Sequence, residues 1–347
     1  MWYSLIGEIM KKIGLIIILL LLVNSCGKNN SFPQVEVSKN FKATDEKIIN
    51  KNNYVSYNGK LKVNGTKLVN QFNEKIILKG ISSHGIQWYN DFINKDSIKI
   101  LKNEWNTNVF RLAMYTEENG YITNKKIYSD LIKDIDLLIS EDMYVIIDWH
   151  ILSDGNPNKH KSDAIEFFDK VSKKYANKPN IIYEICNEPN NTSWSEIKLY
   201  ATDVIKTIRN NTKDSIIIVG TNTWDKDVLD PINDRIEDDN VMYALHFYSG
   251  THTEFLRERA KKALDNNLPL FVSEWGTSKA DGSNGTYLEE AKKWMDFMEQ
   301  NDLSWCNWSL TDKNESSALL KPGSSKTNFT DSDLTESGKF IKSILTK

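Results

Sequence analysis

Short apolar runs rich in β-branched residues alternate along this chain with longer stretches in which apolar positions recur every three or four residues. The first kind reads as buried strands, the second as amphipathic helices. Strands are predicted at Ile76–Ser82, Asn108–Met114, Tyr144–Trp149, Ile181–Cys186, Ser215–Gly220, Met242–Phe247, Leu270–Trp275 and Trp305–Leu310. Helices are predicted at Asp96–Asn103, Lys125–Glu141, Ser162–Ala176, Ser193–Asn210, Thr253–Asn266 and Thr286–Gln300, with Leu334–Leu345 as the closing one. The stretch Asp225–Ile236 is weakly patterned and predicts only a short helix. Ser193, with Glu196 three residues on, has the spacing of a capping box.

Ahead of the first long strand, Asn58-Gly59, Asn64-Gly65 and Asn73-Glu74 punctuate short alternating segments, the pattern of small hairpins. Strand–helix units repeated eight times over about 270 residues match a (β/α)8 TIM barrel, here a single catalytic domain over residues 54–347. An open doubly wound sheet is the competitor, but no Gly-x-Gly-x-x-Gly opens the first helix. Polar groups also stand at many strand ends, where a barrel builds its site. His84 and Tyr115 follow the first two strands, and Arg111 lies within the second. His150 ends the third and Asn187-Glu188 the fourth, with His246 and Tyr248 on the sixth, Glu274 on the seventh and Trp308 on the eighth.

Composition narrows the class. A net charge of -3 with 26% charged residues gives no electrostatic footprint for nucleic acid. The 10 Trp and 14 Tyr supply flat apolar faces, several of them at strand ends or in loops. At the N-terminus Lys11-Lys12 precede Ile13–Val23, an apolar run too short and too early for an ordinary spanning helix. Ser25-Cys26-Gly27 follows, and the segment resembles a bacterial lipoprotein signal. That resemblance implies removal of residues 1–25, lipidation of Cys26, export, and a membrane partner reached through the lipid; Met10 makes a more ordinary start than Met1. Residues 26–53, rich in Asn, Ser and Lys, read as a flexible tether. The remaining cysteines, Cys186 and Cys306, fall on the fourth and eighth strands, opposite walls of a barrel, and are expected to be inert thiols.

Glu188 and Glu274 then stand as a pair on one barrel mouth. Two carboxylates so placed suit glycosidic bond cleavage, one giving a proton to the leaving oxygen and one attacking or activating water at the anomeric carbon. Their separation, which sets retention or inversion, is not encoded in sequence spacing. Glu188 is expected to hold a proton, favoured by desolvation and by its negative neighbour. Arg111 and the Tyr248 hydroxyl are expected beside Glu274.

Specific motifs sharpen this. Ile81–Trp88 reads Ile-Ser-Ser-His-Gly-Ile-Gln-Trp, Phe110–Tyr115 reads Phe-Arg-Leu-Ala-Met-Tyr, and Val145–His150 reads Val-Ile-Ile-Asp-Trp-His. Tyr183–Pro189 (Tyr-Glu-Ile-Cys-Asn-Glu-Pro), Ala244–Tyr248 (Ala-Leu-His-Phe-Tyr), Phe271–Gly276 (Phe-Val-Ser-Glu-Trp-Gly) and Trp308–Lys313 (Trp-Ser-Leu-Thr-Asp-Lys) complete the series. In this order the motifs resemble those of the glycoside hydrolase family 5 endoglucanases of clan A, across residues 54–347. The resemblance implies a retaining enzyme acting within β-1,4-glucan chains, working without a cofactor and as a monomer. It implies Glu188 as acid/base and Glu274 as nucleophile. Asn187 would bond the sugar 2-hydroxyl, and His150 and His246 would orient the carboxylates and the sugar. Trp308 would be the stacking platform, extended by Trp88 and Trp224, while His84, Tyr115, Lys313 and Glu315 would contact hydroxyls. Trp149 and Trp275 read as packing, and His160 and His252 as surface residues.

Relatives with the same two glutamates act on β-mannan, xyloglucan, mixed-linkage glucan or xylan, so the sugar stays open. A metal site built on Asp148 and His150 is the mechanistic rival, disfavoured because no second His is near and Arg111 would repel a cation. The rival of another class is a non-catalytic glycan-binding lipoprotein, which usually shows a replaced carboxylate; both are present.

Overall fold

The computed structural model describes residues 54–347; the signal segment, Cys26 and the tether lie outside the described residues. Among the described residues a single helical turn, Val55–Asn58, comes first, and a hairpin follows, β1 (Lys62–Asn64) and β2 (Lys67–Val69), turned by Gly65 at φ 61, a left-handed value that glycine adopts without strain. Eight parallel strands then close a barrel. They are β3 (Lys79–Ser83), β4 (Val109–Tyr115), β5 (Tyr144–His150), β6 (Ile181–Glu184), β7 (Ile217–Val219), β8 (Val241–Tyr248), β9 (Leu270–Gly276) and β10 (Trp305–Leu310). Ring order follows chain order, and β10 pairs with both β9 and β3 to close it.

Both faces of each strand are covered, which is why the strands read as near-continuous apolar runs. Inward residues such as Ile146, Ile182, Ile218 and Phe271 pack with Leu61, Leu68 and Ile76, so the hairpin plugs the N-terminal end of the barrel. Outward residues such as Leu112 and Ile147 share a core with the helix Ile127–Ser140, whose buried Ile127, Leu131, Ile135 and Leu138 recur at helical spacing. With the bottom filled by apolar side chains, the C-terminal mouth is left for polar groups.

The eight strands and the intervening helices agree with the sequence reading, and four local differences have physical causes. Ile76–Leu78 joins the plug instead of the ladder, so β3 begins at Lys79. The fourth barrel strand ends at Glu184, leaving Ile185–Glu188 as an extension over the rim. The stretch Asp225–Ile236 holds only isolated turns, Asn222–Asp225 and Asp230–Asn233, interrupted by left-handed residues and Pro231. Single turns at Ile86–Tyr89 and Asn90–Phe92, too short for a periodic signal, follow β3. The capping box forms: the Glu196 N–H donates to Ser193 Oγ at 3.3 Å, and the Ser193 N–H to Glu196 Oε2 at 2.9 Å. Cys186 and Cys306 are buried free thiols, and burial pushes both up.

Candidate active site

Arg111 is the buried hub of the mouth. From β4 its Nε donates to Glu184 Oε2 at 2.6 Å, Nη1 to Glu274 Oε2 at 3.0 Å, and Nη2 to Asn187 Oδ1 at 2.6 Å. Nη2 also lies 3.0 Å from Asp148 Oδ2. Burial alone would disfavour the guanidinium charge, but the carboxylates of Asp148, Glu184 and Glu274 outweigh it and hold Arg111 charged. A rigid planar fork with donors in three directions is what four acceptors spread over β5, β6 with its extension, and β9 require.

Glu274 reaches the mouth through a bulge. Ala244 to His246 on β8 pairs with Phe271 to Glu274 on β9, and Trp305 to Asn307 on β10 pairs with Val272 to Trp275. Both neighbours thus advance by two residues where β9 advances by three, which puts one extra residue in β9. An extra residue lets successive side chains share a face. Ser273 Oγ accordingly meets His246 Nε2 at 2.9 Å while Glu274 points into the cleft. Tyr248 OH donates to Glu274 Oε1 at 2.7 Å, so both oxygens of this carboxylate are engaged as acceptors. Burial and Glu274 raise the Tyr248 phenol well above its ordinary value, and it remains a donor.

Glu188 faces Glu274 from the extension of β6. Its Oε1 lies 2.9 Å from His246 Nδ1. An oxygen of Glu188, one of Glu274 and a nitrogen of His246 all fall within 4.8 Å of one another. Burial pushes the Glu188 carboxyl up, but the hydrogen bond and charge of His246 outweigh it, and it lies below the usual carboxylate range. His246 is held well above the imidazole range: burial opposes its charge, and Asp225, Glu184 and Glu188 overcome that. Both directions favour the proton on His246, one hydrogen bond from Glu188, where the sequence reading expected it on Glu188 itself. The desolvation argument considered Glu188 alone and left out the imidazole that competes for the same proton.

His150 Nδ1 lies 2.6 Å from Asp148 Oδ2, and burial lowers its ring to about 4, so the neutral ring donates from Nδ1 and accepts at Nε2. Asn187 is fully buried beneath the carboxylates, its Nδ2 donating to Ile151 O at 3.0 Å and lying 3.4 Å from His150 Nε2. Arg111 and Asn187 thus support the site from below, whereas Glu188, Glu274, His150, His246 and Tyr248 line a cleft of about 640 Å³.

The same cleft is lined by His84, Trp88, Tyr115, Trp224, Trp308, Lys313 and Glu315, the residues proposed from sequence for sugar contacts. Trp88 and Trp224 are 45% and 41% exposed, unusually open for tryptophan, whereas Trp308 is embedded against His150, ring centroids 5.5 Å apart and nearly parallel. Lys313 Nζ is 2.6 Å from Glu315 Oε2 and 3.4 Å from His84 Nε2. Trp149 and Trp275 are fully buried packing.

His252 is a correction. It is buried and lines the cleft, with Nδ1 accepting the Tyr248 N–H at 2.9 Å. Burial lowers it to about 4, so the neutral ring carries its proton on Nε2. Its polar neighbours in sequence belong to a loop folded over the mouth. His160 is partly buried, its Nε2 2.8 Å from Glu117. Sequence reading also passed over Glu184 and Asp225 as site groups and weighed Asp148 only as a metal ligand. A charged residue inside an apolar strand was the available signal for Glu184 and Asp148; Asp225 gave none.

Glu188, His246 and Glu274 have the spacing of a cation site, but Arg111 and Tyr248 already occupy the Glu274 oxygens as donors. Asp148 Oδ2 is likewise engaged by Arg111 and His150.

A closed parallel barrel with two facing glutamates at its C-terminal mouth places the protein among barrel enzymes built for acid–base and nucleophilic work. Residues 69–314 match the family Cellulase (glycosyl hydrolase family 5), and the chain belongs to that family. It is 50% identical over 291 residues to an endoglucanase of Clostridium saccharobutylicum, covering 83% of this chain and 65% of that protein. Endoglucanase 5 of Pectobacterium carotovorum is 47% identical over 83% of this chain and 58% of its own length. The chain therefore spans less than two thirds of these relatives. Among solved structures, the catalytic domain of Thermobifida fusca endoglucanase Cel5A is 34% identical, with a TM-score of 0.82 over 84% of this chain and 99% of that one. A variant of that domain has been solved with cellotetraose.

Proposed function

We propose that this protein is a retaining endo-β-1,4-glucanase. The observation that carries the reading is the approach of Glu188 and Glu274, with carboxylate oxygens within 4.8 Å. Carboxyl groups about 5–5.5 Å apart leave room for a sugar carbon but not for an added water, the requirement of double displacement. Glu274, held at both oxygens by Arg111 and Tyr248, attacks the anomeric carbon as the glycosidic bond breaks. The proton shared by His246 and Glu188 passes through Glu188 to the leaving oxygen. Glu188 then takes a proton from water as that water displaces Glu274. Asn187 and His150 position the two carboxylates and the sugar, and the aromatic faces of Trp88, Trp224 and Trp308 carry successive rings.

The substrate class rests on the endoglucanase relatives and on the cellotetraose complex of one of them. Incubation with carboxymethylcellulose, followed by NMR of the first reducing ends formed, tests both parts. A rapid viscosity drop with the β-anomer appearing first fits; α-anomer first, or cleavage of β-mannan alone, does not. Activity surviving excess chelator accords with a mechanism resting on carboxylates. The sequence around Cys26 supports an enzyme exported and held at a membrane surface by a lipid; radiolabelled palmitate incorporated by wild type and lost in Cys26→Ala tests the anchor.

A further inference from the structure

A third carboxyl stands behind the acid/base pair. Asp225 is fully buried in the turn after β7, and its Oδ2 lies 3.3 Å from His246 Nδ1, the nitrogen that also faces Glu188. Oδ1 accepts the Thr221 N–H at 2.6 Å, while Oδ2 has no hydrogen-bond partner among the described residues. A buried carboxyl oxygen left unmatched calls for an explanation.

The backbone supplies a second observation. Thr223, Trp224 and Asp225 have φ of 57°, 53° and 60°, three consecutive left-handed residues without a glycine. Such residues are costly singly, and a run of them persists only where surrounding contacts fix it. Here the Trp224 N–H donates to Pro189 O at 3.0 Å and the Asp225 N–H to Thr221 O at 3.1 Å. The turn thus sets Trp224 on the cleft rim and, one residue on, Asp225 against His246.

We infer that Asp225 is a positioning residue that sets how firmly the Glu188–His246 pair holds the proton it delivers. This rests on the reading of Glu188 as the acid. Groups acting electrostatically on His246 include Glu184, Glu188 and Asp225 from the β6 and β7 ends, Glu274 from β9, Asp148 from β5 and His252 beyond β8. Among the carboxylates, Glu184 is matched by Arg111 at 2.6 Å and Glu274 by Arg111 at 3.0 Å. Among the described residues, His246 is the one cation within ion-pair distance of Asp225. Burial and Glu188 push the Asp225 carboxyl well above its ordinary value, and the charge of His246 pulls it back, so Asp225 ionises while His246 still holds its proton; a negative group at that range makes that proton harder to remove. The three groups titrate as a unit, and the basic limb of kcat/KM reports the unit.

The test is Asp225→Asn, which keeps the acceptor for Thr221 and removes the charge. The basic limb of kcat/KM on a cello-oligosaccharide is expected to move to lower pH by about one unit or more. A limb that stays in place while KM rises shows a purely structural role through Trp224 and overturns the inference. If the variant does not fold, the wild-type His246 ring decides by 15N NMR. Imidazolium persisting above about pH 8 supports the inference, and a neutral ring at pH 7 sinks it. Glu188→Gln separates the two readings. Equal loss on natural and activated aryl substrates removes Glu188 as the acid and the inference with it; a selective loss on natural substrates with an unmoved Asp225→Asn limb removes the inference alone.

Discussion

Arg111 Nη1 lies 3.0 Å from Glu274 Oε2, within a cluster where the guanidinium is fully buried. The same side chain engages Glu184, Asn187 and Asp148, so one cation ties the inferred nucleophile to the β6 end that carries Glu188.

Replacing Arg111 therefore has two consequences. Arg111→Ala leaves several carboxyls without a counter-charge, a loss of about 3–5 kcal/mol, read as a lowered melting temperature. Arg111→Lys keeps the charge but lacks the fork, and kcat is expected to fall by about 100-fold through misplaced carboxylates. Unchanged kcat in the lysine variant would show that the fork geometry is dispensable.

Tyr248→Phe removes the 2.7 Å hydrogen bond to Glu274 and little else. A hydrogen bond to a charged group contributes about 1.5–3 kcal/mol, so kcat should drop roughly 10- to 100-fold with a small change in melting temperature. Because burial keeps the phenol protonated well above its ordinary range, wild-type activity should show no alkaline loss attributable to this tyrosine.

Stability should depend on Asp134, away from the cleft. This buried carboxyl, accepting from Asn90 Nδ2 at 2.9 Å, is raised by burial from 3.8 to about 8. Between those values the folded protein keeps a proton that the unfolded chain releases, so this group's contribution declines as pH rises through that window. Asp134→Asn removes the titration. Its melting temperature should exceed that of wild type by a margin that grows from about pH 4 to about pH 8; a constant margin would refute this.

The barrel was legible because the strands are short, apolar and separated by periodic helices. The mouth was legible because a strand end is where a polar residue can stand. Hidden were relationships that depend on register and on unpatterned loops. Simple alternation cannot place both Ser273 and Glu274 inside; the bulge in β9 does, and nothing in Phe-Val-Ser-Glu-Trp-Gly announces it. Asp225 lies in a turn without periodicity, and His252 in a loop whose polar sequence resembles surface. The competition of Glu188 and His246 for one proton was hidden for a related reason: it depends on contacts from three elements, and a strand read alone supplies one of them.

The central claim, that Glu274 is the nucleophile and Glu188 its acid/base partner, is tested most directly by Glu274→Ala with azide. The variant should be inactive on an activated β-glucoside of cellobiose, and azide should restore turnover with an α-glycosyl azide as product, because azide enters the face Glu274 has vacated. Restoration giving the β-azide, or substantial activity without azide, would contradict it.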